Sequence, residues 1–213
     1  MAISTTLTTQ FKQDILSGIH CFNATTTFTA SSSSSATFTS VSALTGLAVG
    51  MALSGTNVAA GSVIASIDSG TQITSSKAAT GSISGGTITA TGDTFKIALY
   101  TSSATLDATT TAYSATNEIS GTGYTAGGAT LSNNVSPTTS GTTAFITWSS
   151  NPSWTSATFT ANGALIYNSS RRGPLANPAC STHSFGGDQS VTSGTFTAVL
   201  PTANSSSAII RIA

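Results

Sequence analysis

The residues of this chain that could do acid, base or metal chemistry are few enough to weigh one by one. There are six carboxylates, Asp14, Asp68, Asp93, Asp107, Glu118 and Asp188, two histidines, His20 and His183, and two cysteines, Cys21 and Cys180. Glycoside cleavage needs two carboxylates about 5 to 9.5 Å apart, and these six are dispersed without a motif. Asp68 and Asp188 adjoin glycine-containing turns, where an aspartate commonly closes the turn through its side chain. No Gly-x-Ser-x-Gly elbow presents a serine nucleophile, and a triad of His20 or His183 with Asp188 has no local support. His20-Cys21 and Cys180-x-x-His183 together carry four zinc-competent side chains. Neither pair has a recognised ligand spacing, so buried cysteines and hydrogen-bonded histidines are the expectation. Trp148, Trp154, Tyr124 and Tyr167 are the aromatics that could form a sugar platform. The two tryptophans flank the Asn151-Pro152 turn, which favours packing into a sheet. No catalytic, cofactor-binding or metal-ligating residue is assigned.

The elements that would position these residues sit in an unusual composition. Of 213 residues only 6% are charged and the net charge is zero, against about 25% charged residues in ordinary soluble domains. Ser, Thr, Ala and Gly fill the difference, so the surface must be largely hydroxyl and backbone. Disordered chains combine low hydrophobicity with high net charge, whereas this chain has a mean hydropathy of +0.21 and a pI near 6.7. Ordered, threonine-rich β structure is expected. Nucleic-acid binding rests on clustered Lys and Arg, and the Arg171-Arg172 doublet is the only basic pair. No nucleic-acid partner is expected, and no membrane partner, since no stretch reaches the roughly 20 apolar residues of a spanning helix. The N-terminus lacks a secretory signal pattern, so synthesis in a host cytoplasm without export by that route is expected. A charge-poor, neutral surface resists self-association weakly and suits a subunit of an assembly.

Taken along the chain, Leu7, Phe11, Ile15 and Ile19 recur every four residues, with Leu16 beside them, predicting one amphipathic helix over residues 5–19. Thr5 or Thr6 would cap it and Gly18 would end it. Residues 24–39, with five consecutive serines, read as a linker or arm with strands resuming on either side. Short apolar pairs between residues 41 and 88 predict a small all-β module, with turns at Ser54-Gly55, Ser69-Gly70 and Gly85-Gly86. Residues 93–100 read as the central strand of the main domain, with Phe95, Ile97 and Leu99 on one face and Lys96, Ala98 and Tyr100 on the other. Residues 101–128 read as a long surface loop or hairpin offering surface and no chemistry. Further strands are expected at residues 129–131, 143–148, 154–159, 163–167, 191–200 and 208–212. The fold class is mainly β: a β-sandwich or jelly-roll-like main domain, one short N-terminal helix and an inserted small all-β module. The expected boundaries are 1–23 for the helix and lead-in, 24–91 for the insertion and 92–213 for the main domain.

The stretch from Asp93, Asp-Thr-Phe-Lys-Ile-Ala-Leu-Tyr-Thr-Ser-Ser-Ala-Thr-Leu-Asp, with the later Ala-Tyr-Ser-Ala-Thr-Asn-Glu-Ile-Ser-Gly-Thr-Gly-Tyr-Thr-Ala-Gly-Gly ending at Gly128, resembles a family of tailed-bacteriophage virion structural proteins. So do Phe11-Lys-Gln-Asp-Ile-Leu-Ser-Gly-Ile-His, Ala164-Leu-Ile-Tyr-Asn-Ser-Ser, Phe185-Gly-Gly-Asp and the closing Ala208-Ile-Ile-Arg-Ile. In the family pattern the helix leads almost directly into the strand at Phe95, which is why residues 24–91 read as an insertion. The resemblance implies a non-enzymatic virion component. The leading expectation is a capsid cement or decoration protein on the outer surface of the head, with the major capsid protein and its own copies, as trimer or dimer, for partners. The alternatives are a tail, fibre or baseplate component touching the host surface, and a depolymerase.

Overall fold

The computed structural model describes residues 2–132, 137–170 and 174–213; the Arg171-Arg172 doublet lies outside the described residues. The chain divides into two compact units, Met1–His20 with Thr94–Ala213, and Cys21–Asp93. In chain order the elements are β1 (Thr6–Leu7), α1 (Thr9–Leu16), β2 (Thr26–Ser33), β3 (Thr37–Phe38), β4 (Ala52–Ser54), β5 (Ser62–Ser69), β6 (Gln72–Ser75) and β7 (Ser82–Thr91), followed by β8 (Phe95–Tyr100), β9 (Ala129–Leu131), β10 (Thr138–Ser140), β11 (Thr143–Ile146), β12 (Ser153–Asn168), β13 (Ala179–Thr197) and β14 (Ile210–Ile212). Among the described residues the protein is mainly β, with one short helix and antiparallel sheets in a sandwich-like arrangement. Among the described residues no helix is long and apolar enough to cross a membrane.

In the first unit a five-stranded sheet runs β1-β13-β12-β8-β9 and a three-stranded sheet runs β10-β11-β14. The middle of the larger sheet is therefore β12, and β8 lies one strand in from the edge, not at the centre. The two strands expected at residues 154–159 and 163–167 are one 16-residue strand, bent where its register with β13 shifts between Ala161 and Gly163. Such bulges let one strand turn without breaking its ladder. β8 is buried on both faces: Ala98 and Tyr100 pack with Leu165, Tyr167, Ala104 and Leu106, while Phe95 packs against Trp148 with ring centroids 5.3 Å apart.

The predicted helix is shorter than its stripe. Thr6 and Leu7 pair with Thr182 and Ser181 as a strand, because β13 offers them ladder partners that a threonine-rich first turn does not repay in helix propensity. Thr8 is the true cap: its hydroxyl accepts from Phe11 N–H at 3.1 Å and donates to the Ala179 carbonyl at 2.8 Å. Gly18, at φ +66°, ends the helix in the left-handed conformation, with its own N–H on the Ile15 carbonyl and that of Ile19 on the Asp14 carbonyl. Phe11 and Asp14 form the buried face, whereas Leu16 is 89% exposed.

Residues 101–128 are not a free loop. Ala104, Leu106 and Ile119 are buried, and the segment completes the edge of β8 beyond the three residues that β9 covers. Ile119 N–H donates to the Leu99 carbonyl at 3.0 Å, and Leu99 N–H donates to the Tyr124 hydroxyl at 2.9 Å. At Gly128, φ +69°, the chain turns so close to β8 that a Cβ would strike the Ile97 carbonyl.

The second unit is a six-stranded sheet, β2-β7-β4-β5-β6-β3, that closes on itself. Ser31 and Thr39 exchange two backbone hydrogen bonds of 2.8 Å, joining β2 to β3 and completing a barrel. Phe28, Phe38, Met51, Ile64, Ile73 and Ile88 fill it. Residues 24–39 thus hold two barrel strands, β2 and β3, and are not a linker or arm: in β2 Thr27, Thr29 and Ser31 alternate with Phe28 and Ala30, and Phe28, Ala30 and, from β3, Phe38 are buried in the barrel core. Ser69-Gly70 does begin a tight β5–β6 turn, but Gly85-Gly86 lies within β7, where the register slips against Ala30 and Ser32.

Gly128→Ala is expected to lose about 1–3 kcal/mol from backbone strain alone, and more from the collision with Ile97, read as a lowered urea midpoint with unchanged slope.

Candidate functional site

Each chemistry-bearing residue has a definite place. Glu118 sits in the folded-back segment and is the hub of a tyrosine cluster: Tyr113 donates to Oε2 at 2.6 Å, Tyr124 donates to Oε1 at 2.6 Å and Gly127 N–H donates to Oε1 at 2.8 Å. The Tyr167 hydroxyl donates to the Gly127 carbonyl at 2.7 Å, the Tyr100 hydroxyl to the Ser114 carbonyl at 2.6 Å, and the Tyr113 and Tyr167 rings stack at 4.7 Å. Burial raises all four phenols, and the Glu118 charge raises them further. Tyr167 is pushed up to about 12. These phenols are hydrogen-bond donors, not acids available near neutrality.

The other carboxylates are likewise engaged. Asp107 accepts from Thr109 N–H at 2.7 Å and from its hydroxyl at 2.6 Å, and Asp68 accepts from Ser66 at 2.6 Å and Thr74 at 2.7 Å; in both the bonds hold the carboxyl below its usual range. Asp93 accepts from Cys21 N–H at 2.9 Å, and Asp188 accepts from Asn162 at 2.8 Å. Buried Asp14 accepts from Gln10 at 2.7 Å and lies 3.4 Å from His20 Nε2, while His20 Nδ1 meets Asn168 Nδ2 at 2.9 Å. The histidine that finds an aspartate is thus His20 with Asp14; Asp188 instead serves a cross-strand bond.

His183 stands two residues from Ser181 on one face of β13, with Nε2 2.9 Å from Ser181 Oγ. This Ser-x-His spacing on a strand is a signal that sequence reasoning missed. Burial alone lowers the His183 imidazole to about 4, so it is neutral at pH 7 and too weak a base to activate a hydroxyl efficiently. Ser181 itself is buried. The Cys180 thiol is pushed well up by burial and by the Asp14 charge, opposite to what a reactive thiol requires. Both cysteines are free and buried, and among the described residues no group of three or more His, Cys, Asp or Glu could hold a metal.

The aromatics do not make an open platform. Trp148 and Trp154 are 2% and 6% exposed, and Trp154 packs with Tyr124, Phe159 and Phe196. One apolar hollow of this unit is a cleft of about 380 Å³, lined by Ile97, Ala164, Ile166, Phe185 and Phe196 and touched by His183. The arrangement fits binding by shape and apolar contact. Comparison with protein-family models, curated proteins and solved structures finds no match.

Two pH dependences follow. The raised Tyr167 phenol contributes stability that is whole below the unfolded value of 10 and is lost as pH climbs toward about 12, so the chemical midpoint should fall across that window and fall less in Tyr167→Phe. The depressed His183 contributes stability present above 6.5 and lost as pH drops toward about 4; His183→Gln should flatten the acid limb of the same midpoint-against-pH curve. Glu118→Ala, which leaves two phenols without their acceptor, should cost about 2–3 kcal/mol by equilibrium denaturation.

Proposed function

We propose that this chain is a non-enzymatic structural protein of a tailed-phage particle, a cement or decoration protein on the outer face of the capsid that bridges neighbouring major capsid protein subunits. The supporting observation is where the five family-like stretches fall. They supply α1, β8 with its folded-back segment, the second half of β12, the Phe185–Asp188 part of β13 and β14, and apart from the first quoted residue, Asp93, they lie within the unit Met1–His20 and Thr94–Ala213. The quoted Glu118, Tyr113, Tyr124 and Tyr167 tie that unit's longest connection to its sheet. The groups that could have done chemistry are spent on holding shape, which suits a protein whose work is adhesion.

A shell under internal pressure gains from subunits that contact several neighbours, because linked modest contacts add up through effective concentration. Hydroxyl-clad, nearly uncharged faces can approach a shell protein with little electrostatic repulsion or charge desolvation. Homo-oligomers of the chain would multiply those contacts. Virions that contain the protein at high copy number on the head, and that release DNA at lower temperature when it is stripped or deleted, are the expected result. Quantitative mass spectrometry of purified heads and tails checks it. A few copies confined to the tail would replace this reading with a tail or fibre role, and turnover of host polysaccharide by the purified protein would replace it with an enzyme.

A further inference from the structure

Ser170 N–H donates to Asn168 Oδ1 at 2.8 Å, and a backbone N–H can only donate, so the Asn168 amide has its oxygen at Ser170 and its nitrogen at His20. The His20 Nδ1 that Asn168 Nδ2 meets at 2.9 Å must therefore accept, which puts the proton of the neutral imidazole on Nε2, facing Asp14 Oδ2 at 3.4 Å. We infer that the contacts running from Asp14 through His20 and Asn168 to Ser170 form an acid-sensitive latch on the turn after β12, closed while His20 is neutral and loosened when His20 takes a second proton. The latch goes beyond the capsid reading and does not depend on it.

The second proton has only Nδ1 to enter. There it confronts the Asn168 amino group, donor against donor, with 2.9 Å between the nitrogens. Turning the amide over brings Oδ1 to the new N–H but swings Nδ2 to the Ser170 N–H, so in either orientation one N–H loses its acceptor. A buried donor left without a partner costs more than a made bond contributes, and the His20 side chain has no exposed surface, whereas Ser170 is half-buried and water can reach it. The loss therefore falls on Ser170. That turn is tied to the residue ahead of β8: Ser170 Oγ accepts from Thr94 N–H at 2.6 Å, and Ser169 donates to the Thr94 carbonyl from its N–H at 2.8 Å and its hydroxyl at 2.9 Å.

An imidazolium without solvent needs a counter-charge, and Asp14 supplies it. The 3.4 Å separation exceeds the about 2.7–2.9 Å of a charge-assisted N–H to carboxylate bond, so the pair can close when the ring becomes charged. Among the described residues, α1 presents Phe11 and Asp14 to the ring, β12 the neutral Asn168, and β8 Phe95, with Lys96 alternating to the opposite face. The Cys180 thiol on β13 feels the Asp14 charge and is kept protonated by it and by burial, and Asp93 is bonded to Cys21 N–H.

Nitrogen-15 NMR of both imidazoles, read with backbone amide exchange on the full chain from pH 8 to about 5, where a histidine ordinarily changes charge, tests this. At pH 8 His20 should carry its proton on Nε2 alone. On acidification Nδ1 should become protonated, and in the same step the Ser170 amide should lose about tenfold or more of its exchange protection, with Thr94 following. Asn168→Asp, whose two oxygens can accept from Nδ1–H and Ser170 N–H together, should let His20 protonate with Ser170 still protected. His20→Gln should abolish the step and His183→Gln should leave it in place; if His20→Gln does not fold, the wild-type and Asn168→Asp measurements decide. A neutral His20 with its proton on Nδ1, a His20 still neutral at the acid end, or a protonated His20 with Ser170 protected in the wild type overturns the inference, as does a Ser170 step that survives His20→Gln.

Discussion

The carboxylate of Glu118 is the point from which the main unit is fastened. It accepts from two phenols and one backbone amide, at 2.6, 2.6 and 2.8 Å, and hydrogen bonds to a charged acceptor are among the stronger ones available to a chain with so few charges. Without that hub, residues 101–128 would keep their buried Ala104, Leu106 and Ile119 but lose the charged acceptor that gathers Tyr113, Tyr124 and Gly127. With it, Tyr124 is placed to accept from Leu99 N–H, Gly127 is placed to accept from Tyr167, and the exposed side of β8 is closed where β9 falls short. The covered face then buries Ala98, Tyr100, Leu165 and Tyr167. One acidic residue thus joins the ordering of a 28-residue connection to the burial of a sheet face.

Much of this was legible in sequence, and the gaps have physical causes. Period-two alternation marked β8 and several other strands, since alternation reports which side chains face a core, but the first half of β13 and the polar β10 were not marked. Extent and partnership were harder to read. Leu7 fits the four-residue stripe of a helix, and Thr6 its cap, as well as both fit a strand, and only the presence of β13 beside them decides. The serine run looked like a linker because serine carries no apolar signal, yet in β2 the small hydroxyl side chains share a strand with Phe28 and Ala30, which bury into the barrel. Gly85-Gly86 looked like a turn, but glycine serves equally at a bulge inside a strand.

The site was less legible than the fold. Reading carboxylates in search of a catalytic pair left Glu118 as one isolated acid among six, since its partners are tyrosines five and six residues away on an irregular segment with no period to reveal a shared direction. The Ser181–His183 pair obeys a simple strand rule and could have been found. Its chemistry still depended on burial, which lowers the imidazole to about 4 and which no spacing reports.

The two units also differ in what their backbones leave available. In the barrel formed within Cys21–Asp93 the strands form a ring, closed by the paired bonds of Ser31 and Thr39, and a closed sheet has no edge on which another chain can add a strand. In the larger sheet β1 covers only two residues of the 19-residue β13. Proteins blunt such an edge with charge, proline or bulges. This one uses bulges, with Gly186 at φ +77° and Ser193 at φ +48°, and carries a single charge, Asp188, already bonded to Asn162. Bulges interrupt strand addition but leave the side-chain face unguarded.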